Sequence, residues 1–160
     1  LMSAEQVCEC PGPPLVELIL FQVSVELGGE TIAQSDHYVR VCETYHPPTI
    51  YLQPKAFKSG SLHPISGRRS FCEWKGIASY WSLSKADGTD LRTRAAWSYP
   101  SPTPSFAPLA GWISLYPARV DACWLEGERV TPQPGSFYGG WITTAVLGPF
   151  KGDPLHPELI

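Results

Sequence analysis

The densest group of reactive residue types lies at residues 70–76, Ser-Phe-Cys-Glu-Trp-Lys-Gly. Cys72 and Lys75 are three residues apart, so an extended backbone would put their side chains on opposite faces. They meet only if the segment turns, as Gly76 allows. A lysine beside a thiol favours the nucleophilic thiolate. Cys72 is therefore a candidate nucleophile or redox thiol with Lys75 as its partner; the alternatives are an apolar core residue and the wall of a ligand pocket.

A second group, Glu43-Thr44-Tyr45-His46-Pro47-Pro48, follows a short strand pattern, at a position where loops often carry function. Glu43 and His46 could act as an acid/base pair or hydrogen-bond a polar ligand. The alternative is that Glu43 caps nearby backbone amides and His46 is exposed.

Asp121 is a further catalytic candidate, because it interrupts the otherwise apolar stretch Arg-Val-Asp-Ala-Cys-Trp-Leu at residues 119–125. It is either solvent-facing or a buried carboxylate paired with a base such as Lys75. Asp121 and Cys123 are alternate residues of one predicted strand, so we expect their side chains to point the same way.

Aromatic residues recur between positions 80 and 116. Alternation puts Trp97 and Tyr99 on one face of their strand, where they form either core or a platform on which a flat ligand stacks. The hypothesis that combines these groups is one ligand pocket with aromatic walls and a few polar side chains. Its predicted ligand-binding residues are Glu43, His46, Lys75, Tyr80, Trp97, Tyr99 and Tyr116.

The elements that must position these residues are predicted to be strands. The chain of 160 residues contains 14 Gly and 17 Pro, and no segment keeps a helical period over ten residues. We predict an all-β fold: a single compact, twisted antiparallel-sheet, barrel-like domain. The expected strands are 18–27 and 30–35 around Gly28-Gly29, 38–42, 49–52, 77–83, 91–99, and a hairpin of 111–116 and 119–125 around Pro117-Ala118, with 55–70 as a basic loop.

Three regions are expected along the chain. Residues 1–14 form an N-terminal arm that contains Cys8 and Cys10, residues 15–130 form the β domain, and residues 131–160 form an extended Pro/Gly-rich strap that packs on it. Five cysteines, with only Cys8 and Cys10 closely spaced, favour neither a disulfide framework nor a zinc site. We therefore expect no metal and no cofactor.

Charge and apolar patterning limit the partners. The net charge is −3, and residues 40–94 carry nine basic against four acidic residues. This basic excess is too dilute for duplex binding; it consists of solvated loop charges or creates a local positive field that attracts a small anion. No apolar run approaches a membrane span, and residues 1–10 lack the basic start of a secretory signal. We expect a cytoplasmic protein with no nucleic-acid or membrane partner.

Five ordered segments, VELGGETIAQS, CETYHPPTIYLQP, FCEWKGIASYWSL, AAWSYPSP and GWISLYPARVDAC, together resemble a bacterial domain family of unknown function, DUF427. The resemblance spans about residues 21–125. It implies a compact fold similar to the β-tent, or Mss4-like, architecture. Zinc is not carried over from zinc-bearing relatives, because this chain lacks their paired C-x-x-C motifs.

The family is also named a predicted nucleotidyltransferase domain. That activity normally needs a Gly-Ser turn followed by clustered carboxylates that hold divalent metal on the triphosphate. Gly60-Ser61 and Gly135-Ser136 are the only Gly-Ser pairs, and no Asp-x-Asp follows either. The chain also lacks the common phosphate-loop, dinucleotide-binding and hydrolase motifs. The sequence therefore argues against nucleotidyl transfer.

The leading hypothesis is a module that binds a small, flat or anionic molecule. The rival is an enzyme that uses Cys72 as a thiol, with Lys75, Glu43 or Asp121 as acid/base partners. A third hypothesis is a structural protein whose acidic arm and C-terminal strap dock another protein.

Overall fold

The computed structural model describes residues 5–6, 14–135 and 138–159. The fold is mainly β, as predicted. The strands are β1 (Glu5–Gln6), β2 (Leu15–Ile19), β3 (Val23–Leu27), β4 (Glu30–Ser35), β5 (Tyr38–Cys42), β6 (Thr49–Leu52), β7 (Leu62–Cys72), β8 (Gly76–Leu83), β9 (Arg92–Ser98), β10 (Ile113–Leu115), β11 (Ala122–Leu125), β12 (Glu128–Arg129), β13 (Thr131–Pro132), β14 (Trp141–Ile142) and β15 (Val146–Leu147).

Two antiparallel sheets form the body of the protein. The large sheet has seven strands in the order β2-β5-β6-β10-β9-β8-β7, and the small sheet has four in the order β12-β11-β3-β4. Two short pairs, parallel β1–β15 and antiparallel β13–β14, complete the described strands. Both main sheets are open at their edge strands, so the barrel-like aspect of the prediction is wrong although the antiparallel all-β class is confirmed.

The hairpin of β3 and β4 forms where the sequence predicts it. Gly28 and Gly29 have φ of 61° and 78°, and positive φ at both central residues is what a type I′ turn requires. The predicted strand over 18–27, however, is two strands in different sheets, because the chain turns after Ile19 and re-enters as β3. The corner residues Leu20 and Phe21 are apolar but exposed, which is why hydrophobic patterning does not reveal the break.

The expected basic loop at residues 55–70 is largely strand, because β7 runs from Leu62 to Cys72 and pairs with β8. β7 lies at the edge of the large sheet, where charged residues and a proline such as Pro64 are tolerated. The pairing of β7 with β8 is not regular throughout, because the register shifts between Pro64 and Arg69.

The predicted hairpin around Pro117-Ala118 is also wrong. β10 belongs to the large sheet and β11 to the small one, and a short 3-10 helix, Pro117–Arg119, carries the chain between them. β10 and β11 flank a prolyl turn, as the strands of a hairpin would, but they do not pair with each other. β10 pairs with β6 and β9, and β11 pairs with β3 and β12. Turn residues alone do not specify which strands pair.

Both faces of the large sheet are buried. One face packs on the small sheet and forms the main core, which contains Ile50, Leu52 and Ala96. The alternate residues Tyr51 and Trp97 belong to a second, aromatic cluster on the opposite face. Because side chains alternate across a strand, each central strand supplies both clusters. We call this second side the aromatic face.

Two segments outside the regular strands complete the packing. A 3-10 helix, Pro104–Leu109, buries Phe106 and Leu109 on the aromatic face. Trp141 belongs to the main core, and its indole N–H donates to the Leu115 carbonyl at 3.2 Å. The division into arm, domain and strap stays a prediction; Cys8 and Cys10 lie outside the described residues. No helix in the described ranges is long and apolar enough to cross a membrane.

Candidate functional site

Strand pairing places three large aromatic residues in one row across the aromatic face. Ser114 of β10 is paired with Tyr51 of β6 on one side and with Trp97 of β9 on the other, and Trp97 is paired with Tyr80 of β8. Paired residues project to the same face. The Trp97 indole N–H donates to the Tyr51 hydroxyl at 3.2 Å, so this row is held by a hydrogen bond as well as by packing.

Glu43 and His46 enter the site from a tight turn that follows β5. The His46 backbone N–H donates to the Glu43 carbonyl at 3.0 Å, and Tyr45 between them has φ of 60°. Positive φ is uncommon for a non-glycine residue, so the turn is conformationally demanding. It places both Glu43 and His46 at the edge of the aromatic face.

Lys75 enters from the opposite side, in the turn between β7 and β8. Gly76 has φ of 106° and ends this turn, so the turn that the Cys72–Lys75 spacing requires is present. The Lys75 ammonium lies 2.5 Å from the Glu43 carboxylate, and 6.0 and 5.7 Å from the ring centroids of Tyr99 and Phe106. An ammonium near aromatic faces is stabilised by their quadrupoles.

The ion pair determines the charge state of Lys75, whose side chain is only 9% exposed. Burial alone lowers the pKa of Lys75, but the adjacent Glu43 carboxylate outweighs it, so the pKa lies above its ordinary value. Lys75 is therefore a fixed cation and not a free amine. It is held in place as the partner of Glu43, which weakens its assignment as the base that activates a thiol.

The orientation of His46 is set by Gln133. The Gln133 amide oxygen accepts from Gly140 N–H at 3.1 Å, and its NH₂ group donates to the Lys151 carbonyl at 2.8 Å. These two hydrogen bonds assign the oxygen and the nitrogen of the Gln133 side-chain amide. The same NH₂ lies 3.0 Å from His46 Nδ1, so Nδ1 must accept and the proton of the neutral ring must sit on Nε2.

Burial lowers the pKa of His46, and the nearby Lys151 and Lys75 cations add to this effect against the Glu43 carboxylate. The ring is therefore neutral at physiological pH, with Nε2–H as a hydrogen-bond donor. The sequence suggested Glu43 and His46 as an acid/base pair. His46 is not available as the base of that pair, because the lone pair of Nδ1 already accepts a hydrogen bond from Gln133.

A cavity of about 220 Å³ lies on the aromatic face, and all seven predicted ligand-binding residues line it. The structure thus brings together Glu43, His46, Lys75, Tyr80, Trp97, Tyr99 and Tyr116 from five separate parts of the chain. The Trp97 and Tyr116 rings are 4.7 Å apart at 51°, and His46 lies edge-on to Tyr138 at 5.1 Å. Ligand binding by these residues stays a prediction.

Further lining residues were not predicted: Thr49, Tyr51, Ser70, Ala78, Gln133, Tyr138 and Gly139. Thr49 and Tyr51 alternate with buried aliphatic residues in β6, and that alternation was a usable signal. Gly139 has no such signal. A Cβ there would come within 3.0 Å of the Trp97 ring, so only glycine lets the C-terminal segment approach this wall.

Cys72 is the predicted nucleophile that the structure places beside the site and not among its lining residues. It is half-buried, ends β7 opposite Gly76, and packs against the aromatic cluster. Of the three interpretations of Cys72, this position matches a packing residue of the aromatic face.

Asp121 lies elsewhere, and its predicted alternative pairing with Lys75 is wrong. It is exposed, accepts from Gly28 N–H at 2.6 Å, and forms an ion pair with Arg92 at 3.0 Å. It also does not share a face with Cys123, which is fully buried, because β11 begins only at Ala122. Asp121 anchors a surface turn of the small sheet.

The described residues contain no cluster of three or more His, Cys, Asp and Glu side chains that could hold a metal ion. The polar side chains that line the cavity are a lysine, a glutamate, a histidine, a glutamine and several hydroxyls. Such a set offers hydrogen-bond donors, hydrogen-bond acceptors and charge.

Comparison with protein families agrees with the resemblance noted from the sequence. The family model described as "Domain of unknown function (DUF427)" matches residues 16–126, which is more than half of the chain. The chain belongs to the DUF427 family. The match runs from the second residue of β2 to the turn after β11, so it includes the large sheet and all of the small sheet except β12. Gln133, Tyr138 and Gly139 of the cavity lie beyond the matched residues. None of the curated proteins compared with the chain matches it.

Proposed function

We propose that this DUF427 protein is a binding module for a small, flat organic molecule, and that the cavity on the aromatic face is its binding site. The observation that carries the proposal is the convergence of the Glu43–Lys75 ion pair and the Trp97–Tyr116 wall on one cavity. Polar groups that fix orientation within largely aromatic walls are typical of small-molecule sites.

The size and walls of the cavity favour a small flat ligand. Its volume of about 220 Å³ is below the roughly 300–1,000 Å³ typical of sites for drug-sized molecules. The Trp97 and Tyr116 rings lie 4.7 Å apart, tilted by 51°, and so pack together as one aromatic wall. A flat ligand can contact such a wall in the offset-stacked or edge-to-face geometry that aromatic rings prefer. A single ring with one or two polar substituents fits these dimensions.

The hydrogen-bonding groups of the cavity favour a ligand with at least one acceptor. His46 offers the Nε2 donor that Gln133 leaves available, and Lys75 holds its charge against Glu43. Burial raises the pKa of the Tyr99 hydroxyl, and it raises that of Tyr116 also, so both remain protonated donors. These donors define where a carbonyl or ring nitrogen of the ligand binds.

The test is an NMR titration with neutral, anionic and cationic single-ring compounds. Trp97 and Trp81 lie on neighbouring strands but on opposite faces of the large sheet, since Trp81 packs against the main core. Ligands should shift the Trp97 indole N–H signal and leave that of Trp81 unchanged. Trp97→Phe identifies the signal.

A blocking variant makes the same test sharper. Ala78 lines the cavity and is 3% exposed, so Ala78→Leu should fill it and abolish the shifts. An unchanged Trp81 signal in that variant shows that the sheet is intact. If no compound at millimolar concentration moves the Trp97 signal of the unaltered protein, the proposal is wrong.

A further inference from the structure

Two arginines lie against the wall of the cavity. The Arg94 guanidinium carbon is 4.2 Å from the ring centroid of Tyr80, and that of Arg119 is 4.2 Å from the ring centroid of Tyr116. Both tyrosines line the cavity. Arg119 also donates from Nη1 to the Arg94 carbonyl, so the two residues are held together. Stacking and this hydrogen bond hold both cations against these two tyrosines, next to the cavity but outside its lining residues.

The described part of the chain provides no carboxylate partner for the guanidinium of either Arg94 or Arg119. Arg40, by contrast, is bound by two carboxylates, and so is Arg92. The Arg94 Nε is moreover buried with no hydrogen-bond partner among the described residues. A buried donor without a partner costs free energy, and its presence calls for an explanation.

The backbone places Arg94 on this side of the sheet at some cost. Three residues of β9 lie opposite the single residue Ser82 of β8, so the strand bulges there. Arg94, within the bulge, has φ of 53°, and its N–H donates to the Ser82 hydroxyl at 3.2 Å. Regular alternation would send Arg94 to the main core with Ala96. The bulge instead brings its guanidinium over Tyr80 on the aromatic face.

Strained backbone and strand bulges that redirect a side chain occur preferentially beside functional sites. Here the redirected residue is a cation whose buried Nε has no hydrogen-bond partner among the described residues. It lies next to a cavity whose own charges cancel through the Glu43–Lys75 pair. Guanidinium groups match the planar, paired oxygens of carboxylates and phosphates. The positive charges therefore favour an anionic ligand over a neutral one.

We propose that Arg94 and Arg119 bind the oxyanion, a carboxylate or a phosphate, of the flat molecule whose ring occupies the cavity. This inference rests on the proposed function and adds the chemical class of the ligand. Arg94 is one of the nine basic residues between positions 40 and 94, so part of that positive charge would serve to bind the anion. Arg119, the second arginine of the proposed site, lies outside that segment.

The experiment compares benzoate, phenyl phosphate and the neutral benzamide by the Trp97 indole shift, at low and high salt. We expect one or both anions to bind about tenfold or more tightly than benzamide, since hydrogen bonds to charged groups are the stronger class. High salt should weaken only the anions. The preference between benzoate and phenyl phosphate identifies which oxyanion the arginines accept.

Variants assign the effect to the arginines. Arg119→Gln should weaken the anions about tenfold and leave benzamide unchanged, and Arg119→Lys should restore only part of the loss, because lysine cannot bind in a paired fashion. Arg129→Gln is the matched control: Arg129 is exposed and hydrogen-bonds the Asp121 carbonyl, outside the cavity lining. Arg94→Gln should weaken anion binding in the same way. If the bulge does not tolerate the Arg94 substitution and that variant fails to fold, the result with Arg119→Gln decides the test.

The outcomes separate this inference from the proposed function. If benzamide binds as tightly as both anions and Arg119→Gln weakens none of them, the anion site is wrong while the cavity remains a binding site. If no compound moves the Trp97 signal, the binding function itself fails and the anion site fails with it.

Discussion

The Glu43–Lys75 pair offers the sharpest test of the electrostatics of the cavity. At 2.5 Å, and with an effective dielectric constant of about 20, two unit charges attract by about 7 kcal/mol, against a desolvation cost of several kcal/mol per ion. The net value of the pair is small, but loss of one partner is costly. Glu43→Gln leaves Lys75 nine-tenths buried and unpaired, so we expect it to lower the free energy of unfolding by about 3 kcal/mol.

The reverse change is expected to cost less. Lys75→Met leaves the Glu43 carboxylate, whose side chain is 28% exposed and stays partly hydrated, so the loss should be about 1–2 kcal/mol. The double variant removes both charges and should be about 2 kcal/mol more stable than Glu43→Gln alone. Lys58→Met is the control: Lys58 is half-exposed, 3.9 Å from Glu30, and its loss should cost less than about 1 kcal/mol.

Urea unfolding at several pH values measures these differences and tests their sign. In the unaltered protein the pKa of Lys75 is raised, so its contribution is complete below the unfolded-state value of about 10.4 and is lost as pH rises through the folded-state value. In Glu43→Gln, burial without a partner lowers that pKa, so the deficit shrinks as pH rises towards about 10. If the two single effects simply add in the double variant, the residues do not interact and the reasoning is refuted.

Three further predictions follow from the same geometry. The pKa of His46 is lowered in the folded protein, so the unfolded chain takes up this proton at a higher pH, and the free energy of unfolding should fall as pH drops below about 6.5. The ¹⁵N NMR signals of the ring should show a neutral imidazole with its hydrogen on Nε2. A cationic ring at pH 7 would contradict this prediction. Iodoacetamide should alkylate the half-buried Cys72 before the buried Cys42 and Cys123. Peptide mass spectrometry measures the order of alkylation, and earlier reaction of Cys42 or Cys123 would contradict the prediction. Gly139→Ala should cost about 1–3 kcal/mol in thermal unfolding, because its Cβ meets the Trp97 ring, and an unchanged midpoint would show that this wall yields freely.

Much of the strand pattern was predictable because it is local. Alternating residues predicted β5 and flanking prolines predicted β6, both with their correct ends, and the Gly28-Gly29 turn was predicted from residue type alone. Errors occurred where strand identity depends on distant neighbours. The edge strand β7 contains charges, a proline and a glycine, and only its pairing with β8 makes it a strand.

The site was predictable in its members and not in its interactions. Polar residues in predicted loops and aromatic residues in predicted strands were singled out by type, and all seven proposed ligand-binding residues line one cavity. The partner of Lys75, however, lies 32 residues away and not in its own segment. Gln133, which orients His46 from 87 residues away, has no local feature that marks it.

The sequence by itself determined that this chain builds strands with aromatic and aliphatic faces, because the pleat of an extended backbone alternates side chains every residue. Tertiary structure alone decided which charges meet. It paired Glu43 with Lys75, paired Asp121 with Arg92 on the surface, and stacked Arg94 on the Tyr80 ring. These outcomes depend on strand order, register and a bulge, and such features arise from contacts between residues far apart in the chain.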